Sequence, residues 1–533
     1  MSYPVASHFP VAPENYQGDN PPAGRRRWSQ LPIDYGVFLL AVAFFVVFAA
    51  IFVSDGDQSE WMVCYVRAAE RMVEREPIHR IEPVAYAYPP AMAMLALPLA
   101  VLPRDGPLYA WYVVNIVAAV SAFGCAWRLM GGPSLVRMSL GWSVVFWLGV
   151  VLSLRFFVAP LENQQTDMVI AALVFGGCLW LWRSRDVPAA VCLGAAAAMK
   201  CTPLLFAPYL AWRGKWKTAG VLIAVAVALN VLPDVVFPQS SGGSYLADWS
   251  NSFLGEVGRS APGVWFSDIL LNQSLAGLFN RFAQFGLPIS TEALDGRWTA
   301  TSTGGAGGLR LVVYGTALFL LAATWSCFGR AGRRMPSLTG PVGRPLPLDA
   351  TLLSVEAAAV VCLMLLLSPM SSKAHYVVML LPALLVARSV VQRPTMGMCL
   401  ILAGLLLTGP LTAKGLIGKQ AGDLALAYGV PTWFVLLSLL AMWRMHGMLR
   451  PARGQLVEYC ERGQAADKEF PHHAIVKNID RRDPFAGRCD DRFTAGAVSK
   501  ILPPGRQTAG HGDVPAPGAQ QQGVGKDGQA VDQ

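Results

Sequence analysis

The sequence predicts an all-α fold, a polytopic transmembrane helical bundle, on three observations. Of 533 residues, 54% are hydrophobic and only 14% charged, against about 25% charged in a typical soluble domain. The apolar residues fall into separate runs, including those that begin at Gly36, Leu108, Gly141, Leu309 and Ala357. Each run reaches or approaches the ~20 helical residues that cross a hydrocarbon core, and short basic turns separate them. About ten such runs cannot be the core helices of a soluble protein.

Composition narrows the function as well. The net charge of +9 fits the Lys and Arg excess of cytoplasmic loops and gives no reason to expect nucleic acid as a partner. Of the ten cysteines, Cys125, Cys178, Cys192, Cys327, Cys362 and Cys399 lie inside apolar runs, and Cys460 and Cys489 lie in the polar tail. No disulfide framework and no CxxC metal site is visible. Residues 1–35 are polar and Pro-rich and end in Arg25, Arg26 and Arg27. They are expected as a disordered cytoplasmic head with no cleaved signal.

The first span, 36–53, leads outward to a charged segment, 54–88, in which Trp61–Glu76 has amphipathic helical spacing and suits the membrane surface. The run after Pro89–Pro90 is short and ends at Pro103. Treating it as interfacial or re-entrant puts Arg128 and Arg137 inside, with spans at 108–127, 139–157 and 167–182. Val187–Trp212 has basic residues at both ends and is interrupted by Lys200, Thr202 and Pro203. It reads as a hairpin of two short helices with Lys200 at the tip, tolerated only where protein or water surrounds it. A span at 217–236 leads to a large outer loop, 238–306. The remaining spans are 309–328, 351–368, 374–390, 396–412 and 428–447. The total is about 12 membrane helices. Residues 448–533 are polar, with Gly, Pro and Gln clusters, and are expected as a disordered cytoplasmic tail.

Polar residues at membrane depth or at the outer ends of spans point to function. Four clusters stand out, all toward the outer side. Asp55, Asp57 and Glu60 follow the first span. They offer a general base for an acceptor hydroxyl, or a solvated loop end. Asn163, Gln164, Gln165 and Asp167 open a span. Their amides suit sugar hydroxyls, while Thr166 or Asp167 could equally cap the helix. Lys200 has apolar flanks and needs an anion, either a phosphate or a carboxylate such as Asp167. Ser368, Ser371, Ser372, Lys373, His375 and Tyr376 form a turn between spans, whose cation and imidazole could hold a phosphate or simply make a polar turn.

With these clusters the chain resembles glycosyltransferase family 87, the polyprenol-phosphate-mannose-dependent mannosyltransferase type of the GT-C superfamily. The resemblance is carried by Tyr86-Ala-Tyr-Pro-Pro90, Asn163-Gln-Gln-Thr-Asp167, Ala195-Ala-Ala-Ala-Met-Lys200-Cys-Thr-Pro203 and Pro208-Tyr209 with Trp212-Arg213. Asn272-Gln-Ser274-Leu275 and Leu367-Ser-Pro369 with His375-Tyr376 and Leu381-Pro382 complete it. These segments keep the family's order across residues 35–445. The resemblance implies a GT-C bundle with an outward-facing pocket and an inverting transfer that uses no metal or cofactor. It also implies an Asp shortly before an Ala-Ala pair. Counting back from Ala68-Ala69 reaches Trp61, with Glu60 beside it and Asp57 three residues further. Both acids remain candidates.

The expected function is therefore transfer of a sugar, mannose by the resemblance, from a polyprenyl-phosphate donor to a lipid or glycan acceptor. It would take place at the outer face of a bacterial inner membrane, as part of cell-envelope chemistry. Asp57 would be the catalytic base, with Glu60 as the second choice, and Lys200 and His375 would stabilise the leaving phosphate. Asn163, Gln164, Asp167, Asn272 and Gln273 would contact substrate. The rivals are a transporter or lipid flippase, which should show repeated halves with matching broken helices, and a catalytically inactive GT-C relative.

Overall fold

A computed structural model describes residues 59–79, 86–103, 105–135, 138–264, 270–285, 306–329 and 347–465, with scattered positions between 43 and 49. All of these belong to one compact unit, residues 1–487. The expected head, most of the first span, the Asp55–Asp57 stretch and residues beyond Ala465 lie outside the described residues.

The described residues are helical, with no strand among them. A π-helical turn, Trp61–Val66, runs into α1 (Arg67–Val73), and α2 (Pro90–Ala100) starts on a proline. Then come α3 (Gly106–Leu129), α4 (Leu140–Glu162), α5 (Asp167–Trp182) and α6 (Asp186–Met199). A 3₁₀ turn, Thr202–Leu205, joins α6 to α7 (Phe206–Trp212), and α8 (Trp216–Val236) follows. The long loop carries α9 (Tyr245–Trp249), α10 (Gly255–Arg259) and α11 (Leu275–Phe285). After α12 (Ala306–Gly329) and α13 (Pro347–Leu367), a 3₁₀ helix, Lys373–Met379, leads into α14 (Leu380–Gln392). The chain continues through α15 (Met396–Thr408), the short α16 (Lys414–Ile417) and α17 (Lys419–Ala427), and α18 (Val430–Ala465).

Six helices are long and apolar enough to cross a membrane, and the apolar segments of α2, α5, α6, α13 and α15 are shorter. The expected count of about 12 membrane helices is not reached among the described residues. The short helices are not failed spans. α5 and α6 are each mostly buried by protein, so their backbone groups and ends are shielded from lipid by neighbours. On the long helices α3, α4, α8 and α12, exposed residues include Val113, Val117, Val151, Ile223, Leu318 and Phe319. A helix that is apolar on its outer face as well as its inner one belongs in lipid. The protein is an integral membrane protein.

The broken hairpin has a local cause. Pro203 lacks the N–H that would continue α6, and Lys200 turns extended at its end (φ −157°, ψ 120°). The alanine-rich α6 then packs close on α8. A Cβ on Gly194 would stand 2.7 Å from the Leu222 carbonyl oxygen, the backbone approach that small residues permit between membrane helices. α3 packs on α5, α4 on α14, and α13 on α18. Midway along α13 the buried Glu356 accepts from Arg213 Nε and Tyr209 Oη, each at 2.9 Å. Its second oxygen takes Arg213 Nη2 and lies 3.3 Å from His446 Nε2. That network ties α7, α13 and α18 together. α18 runs on to Ala465, beyond the boundary at 447 that hydropathy suggested.

Candidate active site

The clusters around Glu60, Gln165–Asp167, Lys200 and His375 meet at one end of the bundle. Glu60 directly precedes the π-helical turn, and its half-buried carboxylate is held on both oxygens. Tyr88 Oη donates to Oε1 at 3.0 Å. Gln165 Nε2 donates to Oε2 at 2.5 Å. Burial raises the Glu60 carboxyl above the usual carboxylate range, while the Gln165 and Tyr88 hydrogen bonds and the nearby Lys200 charge work against that rise. Desolvation dominates, which leaves a more basic carboxylate than a surface Glu.

Each partner is fixed by its own segment. Tyr88 sits in the Tyr86–Pro90 stretch, where Trp249 Nε1 donates to the Ala87 carbonyl at 3.1 Å and Asn230 Oδ1 accepts from Ala91 N–H at 3.1 Å. Gln165 follows Gln164, whose φ of +51° is uncommon outside glycine and a mark of constraint. The Gln164 carbonyl accepts from Trp111 Nε1 at 2.8 Å. The Trp111 ring in turn stacks on Trp61 at 3.8 Å and 6°. One aromatic stack therefore carries both the Glu60 segment and the Gln164–Gln165 turn.

Asp167 opens α5 and pairs with Lys200, Oδ1 to Nζ at 2.9 Å. The Lys200 ammonium also lies 5.8 Å from the Tyr88 ring centre. The His375 ring interacts electrostatically with both Asp167 and Lys200, and its Nδ1 accepts from Ser372 N–H at 3.2 Å. Thr166 occupies the N-cap of α5 without a side-chain cap, so of the two capping candidates Thr166 does not serve. Instead, buried polar atoms are left over: both amide atoms of Gln164, Gln165 Oε1, Thr166 Oγ1, Asp167 Oδ2 and Trp61 Nε1 have no protein partner. Buried polar atoms are normally paired, and this concentration leaves donors and acceptors that a polar ligand could use. No three His, Cys, Asp or Glu side chains converge as a metal-binding group among the described residues.

Other candidates have different surroundings. Asn163 is exposed at the C-cap of α4. Asn272 is fully buried, and its side chain is saturated. It donates to the Gly263 and Pro369 carbonyls at 3.1 and 2.9 Å and accepts from Ser274 and Ser371 N–H at 3.1 and 3.2 Å. Gln273 donates to Leu270 and Leu426 carbonyls at 2.6 and 3.0 Å. These two amides clamp the long loop to the 368–376 turn and α17, which leaves Asn272 no valence for a sugar hydroxyl. Asp57 lies outside the described residues. Sequence reasoning did not foresee the partners of Glu60. Tyr88 and Gln165 stood within the quoted motifs, but nothing in their spacing linked them to a carboxylate.

Comparisons with known proteins place the chain in a family. The model of Glycosyltransferase family 87 matches residues 86–369, more than half of the chain. That stretch holds Tyr88, Gln165, Asp167 and Lys200, while Glu60 and His375 flank it. A relative in Mycobacterium tuberculosis, a polyprenol-phosphate-mannose-dependent alpha-(1-2)-phosphatidylinositol pentamannoside mannosyltransferase, is 26% identical over 262 residues, 46% of this chain and 56% of its own. The match thus spans about half the length of that relative. No solved structure matched. The chain belongs to glycosyltransferase family 87.

Proposed function

We propose that this protein is a membrane glycosyltransferase that moves a sugar, mannose, from a polyprenyl-phosphate donor to a hydroxyl of a lipid or glycan acceptor at the outer face of the membrane. The observation that carries the reading is the buried Glu60 carboxylate, held by Tyr88 and Gln165 beside the Lys200–Asp167 pair. Family membership and the mannosyltransferase relative support the substrate class.

Glu60 takes the proton of the acceptor hydroxyl, its raised pKa making it the better base near neutrality. The acceptor oxygen bonds to the anomeric carbon from the side opposite the phosphate. The bond from that carbon to the phosphate oxygen breaks, and its electron pair leaves with polyprenyl phosphate, so the configuration inverts. Negative charge grows on the phosphate as the bond breaks, and a cation there favours the transition state over the bound donor. Lys200 supplies the cation, exchanging part of its hold on Asp167 for the phosphate. His375, whose Nδ1 accepts from Ser372 N–H, contributes a hydrogen bond from its other ring nitrogen. The free amide atoms of Gln164 and the spare Gln165 oxygen suit sugar hydroxyls. Asp57 is the alternative base.

The test is incubation of purified protein with radiolabelled polyprenyl-phosphate-mannose and a membrane lipid extract. A labelled product of inverted anomeric configuration is expected. Absence of any labelled product under conditions where the donor binds contradicts enzymatic transfer and favours an inactive relative. Net movement of intact donor across vesicles without product favours a flippase.

A further inference from the structure

Lys373 is half-buried, and its ammonium makes no hydrogen bond or ion pair among the described residues. An unpaired ammonium at the edge of a membrane calls for an anion. The same 3₁₀ helix carries His375, but the two side chains leave it in different directions. Residues three apart eclipse in a 3₁₀ helix, and residues two apart do not. Lys373 therefore shares a face with Tyr376, whose ring lies 5.2 Å from that of Phe156 on α4. Arg155 is next to Phe156. Its Nη1 donates to the Gly409 carbonyl at 3.0 Å and to Thr412 Oγ1 at 2.5 Å, which leaves Nε and Nη2 without a partner among the described residues. Two residues on from Thr412, Lys414 is paired with Asp423. Lys373 interacts electrostatically with Arg155 and Lys414, and with Glu162 and Asp423. Three cations against two carboxylates leave one positive charge unmatched.

The surroundings indicate what supplies the missing charge. Leu411, Leu416 and Ile417 flank Lys414 and are 50%, 69% and 39% exposed. Exposed apolar side chains on short helices beside lysines lie at the boundary between headgroups and acyl chains. At that depth the abundant anion is a lipid phosphate.

We propose that Arg155, Lys373 and Lys414 form a binding site for the phosphodiester headgroup of an anionic glycerophospholipid, distinct from the Lys200–His375 pair. One phosphodiester carries the single negative charge that the cluster lacks. The free donors of Arg155 present the planar fork that phosphate oxygens accept. Its place on a different face of the short helix that carries His375 suits a lipid held next to the transfer site, as an acceptor lipid would be. The binding site itself needs no transfer chemistry, so its failure and the failure of the proposed function are read separately.

The experiment is native mass spectrometry of the full-length protein released from mixed micelles of phosphatidylcholine and phosphatidylglycerol, with polyprenyl phosphate in a parallel sample. The wild type is expected to retain phosphatidylglycerol in preference to phosphatidylcholine. Lys373→Gln and Lys414→Gln should each lower that preference about fivefold, the worth of one cation near a membrane surface. Lys419→Gln, on the neighbouring helix, should leave it unchanged. The Lys414 side chain is 40% exposed, so its variant reports on binding even if Lys373→Gln does not fold. An unchanged preference in Lys414→Gln, or a loss of polyprenyl phosphate in place of phosphatidylglycerol, overturns the proposal.

Discussion

Gln165 Nε2 donates to Glu60 Oε2 at 2.5 Å across 105 positions of sequence, and this contact joins the start of the π-helical turn to the mouth of α5. Because the hydrogen bond stabilises the charged carboxylate, it also sets how far burial can lift the Glu60 pKa. A base must be deprotonated to act, so transfer should be lost as pH falls through that raised value, above the range of an ordinary glutamate. Gln165→Leu and Tyr88→Phe each remove a bond that lowers the pKa. Both should move the acid limb of the rate profile to higher pH. A limb that stays in place in both variants would detach Glu60 from the rate.

Lys200 and Asp167 should show different behaviour in stability and in turnover. Removing one member of a buried pair leaves an uncompensated charge and costs about 3–5 kcal/mol. Lys200 is 14% exposed, so the lower end applies to Lys200→Met. The double variant Lys200→Met with Asp167→Asn removes both charges and should recover most of the thermal stability in detergent. Turnover should stay low, because the phosphate has lost its cation. Recovery of turnover together with stability would make Lys200 purely structural.

The pair of Arg213 and Glu356 predicts the reverse pattern. It joins α7, α13 and α18 far along the chain from Glu60 and Gln165, with both side chains almost wholly buried. Arg213→Met should destabilise the protein by about 3–5 kcal/mol while transfer per folded molecule stays near wild type. Thermal unfolding read beside specific activity separates the two.

Much of the architecture was legible because a few residues dominate it. Asp167 and Arg183 bracket α5 as the hydropathy expected, Asp167–Trp182, and Pro203 with Lys200 announces the break in the hairpin. The convergence of Lys200 on Asp167 could be read as one of two options, since a lone cation between apolar flanks must find an anion. What pattern cannot supply is the partner across the bundle. The approach of Gln165 to Glu60 runs through the Trp61–Trp111 stack and that of Tyr88 through Trp249 and Asn230, and periodicity gives a face without naming its neighbour. Asn272 and Gln273 are the opposite case. Amides in a long loop look like sugar ligands, yet a loop over a bundle must satisfy its own backbone; Asn272 is used up in that way, while Gln273 spends only its amide nitrogen and keeps Oε1 without a protein partner.

The orientation rests on the bias of basic residues in the turns. With the Glu60 end facing outward, the exposed Ser241 lies outside. Ser241→Cys should react with a membrane-impermeant maleimide in intact cells, in a background where the other reactive cysteines are replaced. Labelling only after the cells are permeabilised would invert the topology.

The most direct measurement is single-turnover transfer from radiolabelled polyprenyl-phosphate-mannose by Glu60→Gln, compared with wild type and Asp57→Asn at equal amounts of folded protein. Loss of a general base typically lowers the rate by about two to four powers of ten. The account predicts a loss of that size in Glu60→Gln with donor binding retained, and a far smaller effect in Asp57→Asn. Near-normal turnover in Glu60→Gln would contradict it.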